Sequence, residues 1–233
     1  MDKQLQAKLY ARYPQTFREK DQSIEESCMH WGLAVDDGWY GLLDIACSLI
    51  QNSDVIAKQV KEKFGTLRFY TSGGGSFENG VIWAAEALSG AICEKCGAPG
   101  YLVRDAWVRT LCEAHGGTPD RYSTLSIYEI TLEAIDGGEN FDSRLVYNAH
   151  VLDELSDSHQ GIKHILRCLQ VTIFGLRKQY PIPYITGLEE SEGIYKIRHR
   201  IEDAQDDVEK AAFVEGIIAM HEAMIARLTQ VDQ

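Results

Sequence analysis

The chain of 233 residues is 45% hydrophobic, which suffices for the core of one large domain or of two small ones. No stretch approaches the roughly 18 consecutive apolar residues that a membrane span needs, and the polar start of the chain is unlike a secretory signal, so we expect a soluble, cytoplasmic protein. The net charge is -12, and residues 119–233 hold 20 acidic against 11 basic residues. This negative charge disfavours non-specific nucleic-acid binding and suits docking onto a basic patch of a partner.

The first half of the chain predicts three helices and a strand. Apolar residues recur at helical spacing in three segments, and apolar and polar residues alternate in a fourth. In chain order these are a helix over Leu5–Tyr13, a helix over Trp39–Gln51 after a turn at Asp37-Gly38, a half-buried strand within Val60–Tyr70, and a helix over Val81–Ala91. The last helix leads directly to Cys93.

Four residues with metal-ligand chemistry follow in two pairs. The pairs are Cys93-x2-Cys96 and Cys112-x2-His115, with fifteen residues between them. This spacing is typical of structural zinc sites, and three thiolates with one imidazole suit Zn²⁺ without redox chemistry. A catalytic zinc keeps one coordination position open for water, whereas four protein ligands leave none. The motif therefore predicts a structural zinc ion that stabilises the first domain.

The second half predicts a separate α+β domain. Gly116-Gly117-Thr118-Pro119 is typical of a linker, which divides the chain into a zinc-binding α+β domain over residues 1–118 and an acidic α+β domain with an antiparallel sheet over residues 119–233. The predicted elements of the second domain are strands over Ser123–Ala134 and Ser143–Leu152 with Gly137-Gly138 between them, a helix over Asp157–Gln179, and strands over Gly193–Ile201, Glu209–Val214 and Ile217–Ile225.

Three sequence segments and the metal motif carry a family resemblance. The segments are Cys28-Met-His-Trp-Gly-Leu, Asp36-Asp-Gly-Trp-Tyr and Gln59-Val-Lys-Glu-Lys-Phe-Gly-Thr-Leu-Arg-Phe-Tyr. Over about residues 1–116 the chain resembles a family of uncharacterised proteins found widely in bacteriophages and prophages. The resemblance implies a phage-type origin, hence action in the host cytoplasm, and brings no activity with it.

The last of these segments joins basic and aromatic residues, and two readings of it stay open. Its members are Lys58, Lys61, Lys63, Arg68, Phe64, Phe69 and Tyr70. Basic and aromatic side chains on a strand can clamp single-stranded nucleic acid. The alternative is a solvated basic face over a packed aromatic core, because alternation along a strand produces both faces.

The second half is similar to RelE/HigB-type toxins. The strand-like segments Gly193-Ile-Tyr-Lys-Ile-Arg-His-Arg and Ala212-Phe-Val-Glu-Gly-Ile-Ile-Ala-Met-His carry this similarity. It implies a strand, two helices and an antiparallel sheet, and cleavage of messenger RNA on the ribosome by Lys196, Arg198, His199, Arg200 and His221. This chain departs from the toxins because the stretch after the last strand has a single basic residue, Arg227, so we expect the fold without the nuclease.

The favoured hypothesis is a phage-type accessory protein that binds a host protein or complex, for example by occupying the nucleic-acid groove of a host defence complex. The enzyme alternative is a RelE/HigB-like ribosome-dependent mRNA endonuclease. A second alternative, less favoured because of the acidic charge, is a single-stranded nucleic-acid binding protein that uses the basic strand.

Overall fold

The protein has a mixed α+β fold in the computed structural model, which describes residues 1–119, 125–135, 142–156, 160–191, 194–202, 205 and 207–231. Backbone contacts divide the chain into two compact units, Met1–Thr118 and Pro119–Gln233. Among the described residues, no helix is both long and apolar enough to cross a membrane.

Three helices and two small sheets build the first unit. In chain order its elements are α1 (Lys3–Arg12), β1 (Leu33–Ala34), α2 (Tyr40–Ile50), β2 (Ile56–Lys63), β3 (Thr66–Ser72), α3 (Ser76–Ser89), β4 (Tyr101–Arg104) and β5 (Val108–Leu111). The first sheet has the order β1-β2-β3, with β1 parallel and β3 antiparallel to β2, and β4 and β5 form a separate antiparallel hairpin. The three predicted helices are confirmed, with ends displaced by a few residues.

The strand expected within Val60–Tyr70 is part of a hairpin formed by β2 and β3. The chain reverses at Phe64 and Gly65, whose φ angles are 56° and 78°. Two positive φ angles in a two-residue turn match the right-handed twist of paired strands. The segment contains no Asn-Gly or Asp-Gly dipeptide, so its sequence does not indicate the turn.

The helices cover one face and one edge of the first sheet. Val60, Leu67 and Phe69 point into the core and are at most 2% exposed. Helix α3 packs on β3, and its side chains satisfy the outer edge of that strand: the Leu67 amide donates to Ser89 Oγ and the Phe69 amide to Glu86 Oε1. A covered edge cannot pair with another strand.

Helices dominate the second unit. Its elements are α4 (Ile127–Ile135), α5 (Ser143–Ser156), α6 (Gln160–Leu176), β6 (Tyr184–Ser191), β7 (Ile194–Arg200) and α7 (Val208–Val231). Strands β6 and β7 form an antiparallel hairpin, and α7 packs on β7 and α6. Within the described residues, the predicted helix over Asp157–Gln179 is confirmed as α6 and the strand over Gly193–Ile201 as β7.

Four of the predicted strands are wrong. The described parts of Ser123–Ala134 and Ser143–Leu152 lie in α4 and α5, and both Glu209–Val214 and Ile217–Ile225 lie in α7. Burial follows a helical period in these segments, as in α5, where the buried positions are Leu145, Asn148, Ala149 and Leu152. The strands that the RelE/HigB resemblance implies before the helices and at the end of the unit are therefore helical here. The Gly137-Gly138 connection lies outside the described residues.

Candidate metal centre

The two pairs of predicted ligands lie at the same end of the β4–β5 hairpin. Cys93 and Cys96 precede β4, and Cys112 and His115 follow β5, so the antiparallel pairing of Tyr101 with Leu111 brings the pairs together. An isolated bridge between Ile92 and Pro99 closes the loop that carries the first pair. The hairpin thus brings the two ligand pairs, which are separated in the sequence, into one cluster.

The four ligand atoms have the spacing of a tetrahedral metal site. They all lie within 4.8 Å of one another. The Cys96 and Cys112 Sγ atoms are 3.6 Å apart, and His115 Nδ1 lies 3.6 Å from Cys93 Sγ and 3.2 Å from Cys112 Sγ. Typical Zn–S and Zn–N bonds of about 2.3 and 2.1 Å at tetrahedral angles place neighbouring ligand atoms about 3.6–3.8 Å apart. The cluster can therefore hold one metal ion.

Each ligand pair sits on a tight turn that a glycine makes possible. Gly97 has a φ of 80°, and its amide donates to the Cys93 carbonyl at 2.8 Å. After the second pair, Gly116 has a φ of 91° and the Gly117 amide donates to the Cys112 carbonyl at 2.8 Å. Positive φ angles are readily adopted by glycine and seldom by other residues. Gly97 and Gly116 therefore allow the chain to turn tightly at both ligand pairs.

Backbone amides around the first pair favour a thiolate. Burial opposes ionisation of Cys93, but the amides of Cys112, Cys96 and Lys95 outweigh it and lower the pKa of the Cys93 thiol to about 7. Burial, together with its thiol neighbours, raises the pKa of Cys96 to about 11. Metal coordination would stabilise several thiolates at once.

Residues 36–39, which follow β1, form hydrogen bonds and a salt bridge with residues around the turn that carries Cys93 and Cys96. The amide of Gly38 donates to the Glu94 carbonyl at 2.8 Å, and the indole N–H of Trp39 donates to the Ile92 carbonyl at 2.8 Å. A salt bridge of 2.6 Å joins Lys95 to Asp36. Sequence reasoning placed Asp37-Gly38 in a turn and Trp39 at the start of a helix, and it missed their contacts with the metal-binding turn; the available signal was the Asp36-Asp-Gly-Trp-Tyr segment.

The residues proposed for RNA cleavage do not form one site. Lys196, Arg198 and Arg200 alternate on the exposed face of β7, but His221 is fully buried in α7, where its Nδ1 lies 2.8 Å from the Ile217 carbonyl. Burial lowers the pKa of His221 to about 4.

Acidic side chains pair with the basic residues of β7. Salt bridges join Lys196 to Glu222 at 3.0 Å, Arg198 to Glu189 at 3.3 Å, Arg200 to Glu202 at 3.2 Å and His199 to Glu215 at 3.0 Å. The hydrogen bond to Glu215 raises the pKa of His199. The strand therefore presents little net positive charge.

The side chains of the basic and aromatic segment fit each of the two open interpretations only in part. Phe69 is buried in the core, and Lys58 forms a salt bridge with Glu19. In contrast, Phe64 and Tyr70 are exposed. The segment is therefore neither a purely packed core nor a uniform clamp.

Comparison with known proteins identifies no relative: no family model, curated protein or solved structure matches the chain. The resemblances to phage proteins and to RelE/HigB toxins therefore stay predictions.

Proposed function

We propose that the protein is a phage-type accessory protein that acts by binding a host protein, and that a structural zinc ion stabilises its first unit. One observation carries this proposal: Cys93, Cys96, Cys112 and His115 place four ligand atoms within 4.8 Å of one another. Four protein ligands complete a tetrahedron, so a metal there has no open position for a substrate or for water.

Zinc is the ion that fits this ligand set best. Three thiolates and one imidazole in tetrahedral arrangement are typical of structural zinc sites. The ion would add stability to the β4–β5 hairpin, whose own hydrophobic core is small. Besides the metal ligands, this core contains the buried Leu111 and the partly buried Ala98 and Val103. In such domains, metal binding supplies folding free energy.

Binding is favoured over catalysis because the alternative catalytic residues are neutralised or inaccessible. The β7 cations are paired with glutamates, and His221 is buried without contact to solvent. RNA cleavage needs cations that can reach the scissile phosphate and a base that can reach the 2′-hydroxyl.

The charge of the second unit supports a partner with a basic surface. Most of the surplus of acidic over basic residues, 9 of 12, lies in residues 119–233. Glu189 and Glu190 are exposed at the end of β6, where Glu189 forms a salt bridge with Arg198. Complementary charge speeds association and selects partners. A host complex with a nucleic-acid groove would offer such a surface.

The test is capture of a partner from host lysate on the intact, zinc-loaded protein, followed by elution with increasing salt. We expect one stoichiometric partner that dissociates as salt rises, because exposed charge pairs are screened. Glu189→Lys with Glu190→Lys should weaken capture, whereas Lys178→Gln, which removes an exposed cation of the same unit, should not. Absence of a stoichiometric partner, or growth arrest with cleaved messenger RNA on expression, would contradict the proposal.

A further inference from the structure

The outer face of the first sheet carries cations without carboxylates. The register of β2 and β3 places Lys61 opposite Arg68, Lys63 opposite Thr66 and Gln59 opposite Tyr70. Paired residues share a face of the sheet, and the intervening Val60, Leu67 and Phe69 fill the core on the other face. We call Lys61, Lys63, Arg68 and Tyr70 the basic face.

The three cations of the basic face form no salt bridge among the described residues, and Glu86, which accepts from the Phe69 amide, is the carboxylate that acts electrostatically on Arg68. In the part of the chain that the structure describes, no salt bridge involves Lys61, Lys63 or Arg68. Like charges directly opposite each other, as Lys61 and Arg68 are, destabilise a strand pair. An anion bound between them would remove this repulsion. The cations of β7, each paired with a glutamate, have no such need.

Exposed aromatic rings accompany these cations. Lys61 Nζ lies 5.5 Å from the centre of the Tyr70 ring, and Lys63 Nζ lies 5.2 Å from that of Phe64. Phe64, at the tip of the β2–β3 hairpin, is 67% exposed, and Trp107, between β4 and β5, is 68% exposed. Contiguous exposed apolar groups bordered by polar residues mark interaction sites, whereas single exposed rings do not.

The two hairpin tips enclose a groove. Phe64 and Trp107 line it together with Glu62, Lys63, Ala106 and Val108, and its volume is about 360 Å³. We call it the hairpin groove. Glu62 is tied into the turn, because its Oε1 accepts from the Gly65 amide at 2.6 Å.

Buried contacts hold the two tips in place. Thr110 Oγ1, in β5, donates to the Gly65 carbonyl at 2.6 Å. Gly65 also has no room for a side chain, since a Cβ there would lie 2.5 Å from Leu102 Cδ1. The groove is thus built before a ligand arrives, which lowers the entropic cost of binding.

We propose that the basic face and the hairpin groove bind single-stranded nucleic acid. Lys61, Lys63 and Arg68 would contact phosphates, and bases would stack on Tyr70 and between Phe64 and Trp107. Stacking on exposed rings beside a row of cations is the general mode of single-strand binding. A duplex hides the faces of its bases, and an acidic peptide offers nothing flat to stack on these rings.

The test is fluorescence anisotropy of labelled 20-nucleotide oligo(dT) and oligo(rU) with the intact, zinc-loaded protein at several salt concentrations. Three phosphate contacts should give a log–log salt slope of about -2. Trp107→Ala should weaken binding by about 5- to 150-fold, the usual loss for one stacked base, and Trp107→Phe should recover most of it. Lys61→Gln should make the salt slope shallower by about 0.7.

Two control variants test whether a loss of binding is specific to the basic face and the hairpin groove. Trp31→Ala removes another tryptophan of the same unit that is 67% exposed, and Lys8→Gln removes an exposed cation of α1; both should bind as the unaltered protein does. The proposal is overturned if neither oligonucleotide binds at low salt, if Trp107→Ala binds normally, if blunt duplex binds equally well, or if poly-glutamate displaces the oligonucleotide at matched charge.

Discussion

The backbone amide of Gly38 donates a hydrogen bond to the carbonyl of Glu94 over 2.8 Å, which joins the segment after β1 to the first metal-binding turn. The approach is close: a Cβ at position 38 would lie 2.3 Å from the Cys93 carbonyl oxygen, 2.5 Å from the Gly97 amide and 2.6 Å from the Cys96 amide. No side chain fits there without moving backbone that carries two ligands.

Gly38→Ala should therefore weaken zinc binding by about 10- to 100-fold, the usual loss when a support of the ligands is altered. Competition with a colorimetric chelator measures the affinity. The matched control is Gly175→Ala in α6, where nothing lies within 4 Å of the new Cβ and where alanine should stabilise the helix by about 0.5–1 kcal/mol. Equal zinc affinity in Gly38→Ala and the unaltered protein would show that the contact does not support the site.

Trp39→Phe should lower the free energy of unfolding by about 1–3 kcal/mol, because the Ile92 carbonyl would lose its buried donor. Trp39 is fully buried, and its indole N–H lies 2.8 Å from that oxygen. Urea unfolding of the zinc-loaded protein measures the change. Trp31→Phe, at an exposed position, should change stability by less than about 0.5 kcal/mol. Two variants of equal stability would mean that the indole hydrogen bond contributes nothing.

His221 should make the protein sensitive to acid. Burial lowers its pKa to about 4, so between its ordinary value near 6.5 and pH 4 the unfolded chain binds a proton that the folded chain excludes. The stabilisation is complete above pH 6.5 and is lost as the pH falls, by up to about 3 kcal/mol at 1.36 kcal/mol for each unit of pKa.

His221→Leu should remove the loss of stability at acid pH. The free energy of unfolding of the variant, relative to that of the unaltered protein, should therefore rise as the pH falls from 7 to 4.5. Nε2 of His221 is buried and has no hydrogen-bond partner among the described residues, so leucine there should cost little at pH 7. Because the residue lies outside the metal site, the acid sensitivity of zinc binding cancels in the difference. Parallel pH curves for the two proteins would contradict the assignment.

Glu222 should be the acid that anchors α7 to the β6–β7 hairpin. It is 9% exposed and accepts from the Ile197 amide at 2.7 Å and from Lys196 Nζ at 3.0 Å. Glu222→Leu leaves that buried amide without an acceptor and should cost about 1–3 kcal/mol, whereas Glu222→Gln keeps an oxygen there and should cost less. Thermal unfolding distinguishes the two; an equal loss in both variants would assign the effect to charge alone.

The metal ligands could be predicted from the sequence because their signal is local. Two residues between Cys93 and Cys96, and two between Cys112 and His115, fit a turn that places both side chains on one ion. The support from Gly38 could not be predicted, because it depends on how closely two segments far apart in the chain approach each other.

The errors in the second unit have a common physical cause. In α7 the apolar cluster around Ile217, Ile218 and Met220 suits a buried strand as well as a buried helix, and Gly216 between the two predicted strands favours a turn. The buried positions Val214, Ile217, Ile218, His221 and Ile225 follow a helical period that becomes evident only when packing shows which residues are covered.

The most direct test of a closed structural zinc site is the zinc K-edge X-ray absorption spectrum of the purified protein, with metal content measured on the same sample. We predict one zinc per chain, bound by three sulfur atoms at about 2.3 Å and one nitrogen at about 2.0–2.1 Å, with no oxygen ligand. A coordinated water oxygen, fewer than three sulfur ligands, or the same zinc content in a Cys96→Ser, Cys112→Ser variant would contradict the account.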